Sequence, residues 1–120
     1  MKLKELIQIV QGEVLTKGVD LDREVKGGCG ADLMSDVLAY SQPDAVLLTG
    51  LVSMQVVRTA QMADVAAVLF VREKQPTDDM VQLARREGIP LISTSCGMFE
   101  ACGRLHRAGL ISLELPYDEG

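Results

Sequence analysis

Three short, uninterrupted apolar runs in the second half of the chain most constrain its fold. They cover residues 45–48, 65–71 and 89–92, and none alternates between apolar and polar positions. Strands without alternation are buried on both faces, which is typical of parallel sheets covered by helices. A segment with helical spacing, residues 52–63, separates the first two runs, and another begins after Thr77. The pattern predicts an α/β fold: a small, mostly parallel sheet flanked by helices on both faces, a three-layer sandwich with right-handed crossovers.

The first half of the chain adds further elements. Residues 3–10 place apolar side chains at helical spacing, and Gly12 follows as the expected C′ residue after that helix. Residues 13–16 are typical of a short strand, and residues 17–25 of an exposed connection. Residues 31–40 are predicted to form a second helix, whose apolar stripe consists of Leu33, Met34, Val37 and Leu38.

The last third of the chain carries clear helix boundaries. Thr77 is the expected N-cap of a helix that starts with two acids and ends at Gly88. A final helix is predicted over residues 98–108, with Gly109 after it, and residues 110–115 are a weaker candidate for a last strand. With no second domain, repeat or low-complexity segment apparent, we predict a single domain over residues 1–120.

Composition and charge exclude several classes of function. The chain has 120 residues, of which 48% are apolar and 24% charged, and its net charge is −5. A net-acidic chain with no basic run and no Trp is a poor candidate for binding nucleic acid or an anionic membrane. No apolar run approaches the ~20 residues of a membrane span, and no signal-peptide pattern follows the N-terminus, so we predict a cytoplasmic protein. Its three Cys residues are an odd number and are expected to be free thiols.

Polar residues follow the predicted strands at the edge where open α/β sheets bind their ligands. The set combines hydroxyls, one glycine and one cation: Thr49, Gly50, Arg72, Ser93, Thr94 and Ser95. Together with helix N-termini, such groups suit a phosphate or a carboxylate. In the alternative interpretation the Ser and Thr residues cap helices, and Arg72 pairs with Glu73 or with a neighbouring subunit.

The glycine-rich segment at residues 26–30 is a second candidate anion site. Gly27, Gly28 and Gly30 could form a concave nest of N–H groups. The segment is not a P-loop, and Leu33 stands where the last glycine of the dinucleotide fingerprint belongs. We favour the alternative, a tight turn before a helix that needs positive φ angles.

No constellation of residues in the sequence predicts catalysis, a metal centre or a cofactor. Cys96 and Cys102 have neither a redox nor a zinc spacing, and a four-ligand site completed by Cys29 and His106 is disfavoured. Cys102 is expected to pack as a small apolar residue, whereas Cys96, near a helix N-terminus, would be reactive if exposed. Nothing in the sequence pairs His106 with a nucleophile.

The helix predicted over residues 52–63 is apolar on nearly all sides. In so small a domain, the sheet can cover only one side of such a helix. A second copy of the chain would cover the other side through a twofold contact. The sequence therefore predicts a homodimer.

Four segments resemble the stand-alone bacterial and archaeal form of the DRTGG-domain family. They are residues 28–38, 46–60, 68–72 and 99–105, so that the resemblance covers nearly the whole chain. It implies an α/β domain, usually self-associating, that lies in regulatory regions and has no established chemistry of its own. Related domains lie between the nucleotide-binding CBS modules of some inorganic pyrophosphatases and in phosphotransacetylase-type proteins, and a similar fold forms the N-terminal part of HPr kinase/phosphorylase. The family motif ends in Thr-Gly-Gly, and this chain departs from it at Leu51, which follows Thr49 and Gly50.

The favoured hypothesis is a non-catalytic, dimeric module for regulation or ligand sensing. It would bind a small anionic ligand or a partner protein, and a nucleotide is named as the ligand by analogy with the family's neighbours. One alternative is a small phosphotransferase-like enzyme, which the absence of a P-loop disfavours. Another is a structural subunit that docks onto a larger metabolic or redox complex.

Overall fold

The computed structural model describes residues 1–114. Helices and strands follow one another along this part of the chain in the order α1 (Leu3–Ile9), β1 (Glu13–Val14), β2 (Gly27–Gly30), α2 (Met34–Tyr40), β3 (Ala45–Thr49), α3 (Met54–Met62), β4 (Ala67–Phe70), α4 (Asp78–Glu87), β5 (Leu91–Ser93) and α5 (Met98–Arg107). Within the described residues, every helix is too short or too polar to cross a membrane.

The five strands form one sheet in the order β1-β5-β4-β3-β2. Strands β2 to β5 are parallel, and β1 adds an antiparallel edge next to β5. Strands β2 to β5 are neighbours in the sheet in the same order as in the chain. Right-handed crossovers between them therefore place α2, α3 and α4 on one face. Helices α1 and α5 pack on the other face. The predicted three-layer α/β fold is confirmed.

The strands are buried on both faces, which explains why the sequence lacks alternation there. All five residues of β3 are buried. Leu47 packs among side chains of α2, α3 and α4, whereas Val46 and Leu48 pack with α1 and α5. The two apolar layers therefore meet across the central strands.

Helix boundaries in the last third agree with the sequence. The N-cap Thr77 accepts a hydrogen bond at its Oγ1 from the backbone N–H of Met80 at 3.3 Å. Gly88 after α4 and Gly109 after α5 have positive φ angles of 71° and 104°. These left-handed residues end the helices as predicted.

Gly12 has a different role from the one predicted. The left-handed residue after α1 is Gln11, with a φ of 52°. A β-carbon at Gly12 would lie only 2.7 Å from Cγ2 of Ile92. Gly12 is thus needed for the close approach of the chain to β5.

The glycine-rich segment is a strand and not a turn, so both interpretations of its backbone were wrong. Gly27, Gly28 and Gly30 belong to β2, pair with β3, and have no positive φ angle. The edge of β2 that faces away from β3 is covered by the chain after α5: the N–H of Gly28 donates to the carbonyl of Ile111, and the N–H of Leu113 donates to the carbonyl of Gly28, both at 2.9 Å. A β-carbon at Gly27 would lie 2.8 Å from the Ile111 carbonyl oxygen. Close approach of a second backbone accounts for that glycine.

The segment after α5 forms isolated bridges in place of the last strand predicted over residues 110–115. Ser112 pairs with Gly28 in the parallel sense, and Glu114 pairs with Ser41 in the antiparallel sense. Leu115 lies outside the described residues, as does the rest of the predicted domain to residue 120.

Two helices on the face that carries α2, α3 and α4 differ from the predicted pattern. Helix α2 begins at Met34, and of its predicted stripe only Met34 and Val37 are buried, whereas Leu33 and Leu38 are exposed. The buried residues of α3 are covered within one protomer: Val56, Val57, Thr59 and Ala60. The outward residues of α3 are Gln55, Arg58, Gln61 and Met62. Because α3 is not apolar all round, it lends no support to a dimer.

Candidate functional site

The carboxyl ends of β4 and β5 form a topological switch point. The chain leaves β4 for α4 on one face of the sheet, and it leaves β5 for α5 on the opposite face. Diverging connections open a crevice at this edge of a parallel sheet, and this is where ligands of open α/β folds bind. We call residues 72–75 and 94–97 the switch crevice. It includes the predicted site residues Arg72, Thr94 and Ser95.

Backbone hydrogen bonds hold the two loops of the switch crevice together. The N–H of Arg72 donates to the carbonyl of Cys96 at 2.8 Å, and the N–H of Glu73 donates to the carbonyl of Thr94 at 2.7 Å. Arg72 and Glu73 have φ angles of 58° and 56°. Two successive non-glycine residues in the left-handed region cost roughly 1–3 kcal/mol each and persist only where their surroundings hold them.

The guanidinium of Arg72 lies over the N-terminus of α5. A β-carbon at Gly97, the N-cap residue, would be 3.6 Å from Cζ and Nη1 of Arg72. Gly97 has no side chain that could cap the first N–H groups of α5. Among residues 1–114, Arg72 forms no ion pair, so the predicted pairing with Glu73 is not observed.

The electrostatics of this arrangement favour an anion. A helix N-terminus carries partial positive charge, so the nearby Arg72 cation is unfavourable by itself. A phosphate or carboxylate seated between them would interact with both, and guanidinium groups bind such oxyanions with two parallel hydrogen bonds.

Two of the predicted hydroxyls are occupied by the chain itself. The hydroxyl of Ser93 donates to the Lys74 carbonyl at 3.2 Å and accepts from Nε2 of Gln75 at 3.1 Å. The hydroxyl of Thr94 donates to the Val10 carbonyl at 2.6 Å. Both residues are buried, whereas Ser95 is exposed. Ser93 and Thr94 therefore shape the loops, and neither caps α5.

Thr49 and Gly50, at the end of β3, hold a carboxylate that the sequence analysis missed. Oδ1 of Asp32 accepts hydrogen bonds from Oγ1 of Thr49 at 3.0 Å and from the N–H of Gly50 at 2.8 Å. These donors thus bind an oxyanion, but the oxyanion is the Asp32 carboxylate, which lies in the loop after β2. Three residues beyond Gly50, the hydroxyl of Ser53 is buried and has no hydrogen-bond partner within residues 1–114.

Gly28 and Gly30 line a separate pocket, because β2 is two strands away from β4. This α5 pocket lies between β2, α5 and the segment after α5, and its volume is about 170 Å³. Its lining is mostly apolar and includes Cys102, Leu105, His106, Leu110 and Ile111. The N–H of Gly30 donates to Oε1 of Glu114 at 2.9 Å.

The three cysteines do not form a common site, although Cys29 and Cys102 both line the α5 pocket. Burial, reinforced by the nearby Glu114 carboxylate, raises the pKa of Cys29 to about 12. Burial, and secondarily Glu114, also raises the pKa of Cys102, so both thiols stay protonated at neutral pH. Cys96 lies elsewhere, and its thiol donates to the Val10 carbonyl at 3.8 Å. Residues 1–114 contain no group of three or more His, Cys, Asp or Glu side chains that could hold a metal ion.

A three-layer α/β domain with a switch crevice defines the structural class of this protein, and sequence comparison defines its family. Residues 5–108 match the DRTGG domain, so the chain belongs to the DRTGG domain family, as its resemblance predicted. No curated protein is significantly similar to it in sequence.

A solved structure with the same fold contains the CBS and DRTGG domains of the regulatory region of Clostridium perfringens pyrophosphatase, complexed with its activator, diadenosine tetraphosphate. The TM-score is 0.75 and the sequence identity is 13%. The similarity covers 98% of this chain and 51% of that one, so this chain spans about half the length of the pyrophosphatase region.

Proposed function

We propose that this protein is a non-catalytic regulatory module that senses a small anionic ligand, such as a nucleotide, in the switch crevice. One observation carries the proposal: the guanidinium of Arg72 has no ion-pair partner in the described chain and lies over the uncapped N-terminus of α5. A ligand phosphate would accept hydrogen bonds from both, and the exposed Ser95 lies in the same loop as Gly97.

The family and the fold support a nucleotide as the ligand. The similar pyrophosphatase region is regulatory, and its activator is a dinucleotide joined by four phosphates. Its identity to this chain is 13%, so the support for this ligand class is by analogy.

The chemistry of the crevice supports binding over turnover. Phosphoryl transfer needs a phosphate cradle, a lysine and an acid that holds a metal ion. The hydroxyls of Ser93 and Thr94 donate to backbone carbonyls and are not placed beside a general base. This favours a sensor over the phosphotransferase alternative.

Thermal unfolding with a panel of ligands tests the proposal. The panel consists of AMP, ADP, ATP, diadenosine tetraphosphate and inorganic phosphate. A ligand present at a hundred times its Kd adds about 2.7 kcal/mol to the free energy of unfolding. Arg72→Ala should abolish this gain, whereas Arg58→Ala, on the outward side of α3, should retain it.

The opposite results would exclude the proposal. A ligand-induced gain that survives Arg72→Ala would place the binding site elsewhere. Multiple turnovers of ATP by the purified chain would favour the phosphotransferase alternative, and no gain with any ligand would leave the docking of a partner protein as the function.

The regulatory module is further proposed to act as a homodimer. Self-association is what the family resemblance implies. In a dimer, a change that the ligand induces in the crevice of one protomer would also affect the second protomer. Docking onto a larger complex is the alternative, and the cytoplasmic location stays a prediction from the sequence.

A further inference from the structure

The outward side of α5 carries an apolar side chain that its own protomer does not use. Phe99 is 89% exposed, the highest value among the large apolar side chains of residues 1–114. Gly103 and His106 follow it four and seven residues later, so all three lie on one side of the helix.

Gly103 makes this side of α5 unusually flat. A β-carbon there would meet nothing within 4 Å, so the protomer itself leaves room for a side chain. A helix with an internal glycine is less stable than the same helix with alanine, and no contact within the protomer compensates for this loss at Gly103. A second backbone that crosses closely at this point would account for it.

The α5 pocket opens beside the same side of the helix. Cys102 and His106 form its α5 wall, and Ile111, which is 62% exposed, stands on the opposite wall. Cavities of about 150 Å³ with apolar walls bind a benzene ring, and the α5 pocket measures about 170 Å³. Its size and lining therefore suit one aromatic side chain.

The charges on α5 favour an antiparallel copy of the same helix. The acid of its first turn is Glu100, and the bases of its last turn are Arg104, His106 and Arg107. Arg104 already pairs with Glu100 of its own helix at 2.8 Å, so the bases left to face the acidic turn of a partner helix are His106 and Arg107. In an antiparallel pair, the acidic turn of each helix lies opposite the basic turn of its partner. An axis that passes between Cys102 and Gly103 also places Phe99 opposite the partner helix at the position of His106.

We propose that two copies of this chain associate through antiparallel α5 helices, with Phe99 of each copy inserted into the α5 pocket of the other. The contact is isologous, because the same residue and the same pocket are used twice. This interface rests on the homodimer in the proposed function, and it names the surface and the residue that the second copy contributes.

Sedimentation velocity of the full chain over a range of concentrations tests the interface. The wild type should form dimers, and Phe99→Glu should raise the dimer Kd by at least about 100-fold, since a buried aromatic anchor is lost twice. Met62→Glu is the matched control, because Met62 is 66% exposed on α3, outside the α5 surface. Circular dichroism establishes that both variants are folded.

A double-mutant cycle tests the pocket itself. Cys102→Leu fills the pocket from its own wall and should weaken the dimer, and in a Phe99→Ala background it should cause little further loss. Fully additive effects would show that Phe99 does not enter the pocket and would overturn the proposal.

Two outcomes distinguish this interface from the dimer itself. A monomeric wild type at every concentration would overturn both. A wild-type dimer that Phe99→Glu leaves intact would overturn only the α5 interface and would retain the homodimer of the proposed function.

Discussion

The guanidinium of Arg72 lies against Gly97, the N-cap residue of α5. A cation from the loop after β4 is thus held at the start of this helix. Phe99 follows Gly97 by two residues and points out from the same helical turn. The helix α5 therefore joins the proposed ligand crevice at its N-terminus to the proposed dimer surface along its side. This relationship gives the proposed regulatory role a physical basis.

Gly97→Asp should supply the crevice with an anion from the chain itself. The backbone of Gly97 is already extended, as an N-cap requires, and a β-carbon there would make only ordinary contacts with Arg72. The carboxylate would cap α5 and pair with Arg72, so the free energy of unfolding should rise by about 0.5–1 kcal/mol. Nucleotide binding, measured by calorimetry, should be lost.

Gly97→Asn separates capping from charge. The amide oxygen caps a helix about as well as a carboxylate but brings no negative charge. This variant should gain stability and bind the nucleotide more weakly than the wild type but more tightly than Gly97→Asp, because its amide occupies an N–H group of α5 and leaves Arg72 unpaired. Equal binding by the Asp and Asn variants would contradict the assignment of the crevice as an anion site.

Asp32 should contribute to stability by tying the loop after β2 to the end of β3. Asp32→Ala removes the acceptor for the Thr49 hydroxyl and the Gly50 N–H. Because the carboxylate is exposed, we expect a loss of only about 1 kcal/mol in urea unfolding. Glu13→Ala removes an exposed acid from β1 and should change the midpoint little; equal losses in both variants would contradict the role of Asp32.

Much of the fold could be predicted because its signals are local. Each of these signals reflects what the backbone needs within a few residues, and the structure confirms them: the apolar runs, the Thr77 cap, and the glycines after α4 and α5. The segment at residues 26–30 misled the prediction because its glycines respond to the distant backbone of residues 111–113, as the hydrogen bond from the Gly28 N–H to the Ile111 carbonyl illustrates. Composition cannot distinguish a glycine that needs a positive φ from one that needs space.

Gly27 and Gly28 offer a direct test of that explanation. A β-carbon at Gly27 would lie 2.8 Å from a backbone oxygen and from Cβ of Leu113, whereas at Gly28 the nearest atom would be 3.6 Å away. Gly27→Ala should therefore lower the free energy of unfolding by about 2 kcal/mol, since overpacking forces the backbone to move. Gly28→Ala should leave it unchanged or raise it slightly. Thermal melts that rank the two variants in the reverse order would contradict this account.

The buried thiol of Cys29 should make the protein less stable in alkali. Its pKa is about 12 in the folded chain and 9.0 in the reference state, so above pH 9 the unfolded chain loses a proton that the folded chain keeps. Stability present below pH 9 is therefore lost progressively as the pH rises towards 12. Urea midpoints between pH 8 and pH 10.5 should fall more steeply for the wild type than for Cys29→Ala.

Cys96→Ala provides the comparison for that measurement. Cys96 is half-buried and packs on the α1 and α5 side of the sheet, whereas Cys29 packs with α2 and α3. The alkaline decline of Cys96→Ala should follow that of the wild type. A Cys29→Ala variant that declines as steeply as the wild type would contradict the role of the Cys29 thiol.

The candidate site was only partly visible in the sequence. Topology alone brings the ends of strands together, so Arg72 and Ser95 could be grouped from the strand pattern. Which hydroxyls remain free depends on long-range partners: Thr94 donates to Val10, and Thr49 donates to Asp32. Neither partner is adjacent in the chain, and no spacing rule links them. Asp32 could have been suspected only as an acid two residues beyond the glycine strand.

Ligand binding and dimerisation should be coupled through α5. A nucleotide phosphate that binds Arg72 and the first N–H groups of α5 would hold the turn that carries Phe99 in one position, so the dimer should form at lower concentration. Coupling of this kind is typically at least about fivefold, and by thermodynamic linkage dimerisation must strengthen nucleotide binding by the same factor. Sedimentation velocity with and without saturating nucleotide measures the first effect, and calorimetry below and above the dimer Kd measures the second. Arg72→Ala should abolish the coupling while leaving the ligand-free dimer intact, and a dimer Kd that the nucleotide leaves unchanged in the wild type would show that the crevice and the interface act independently.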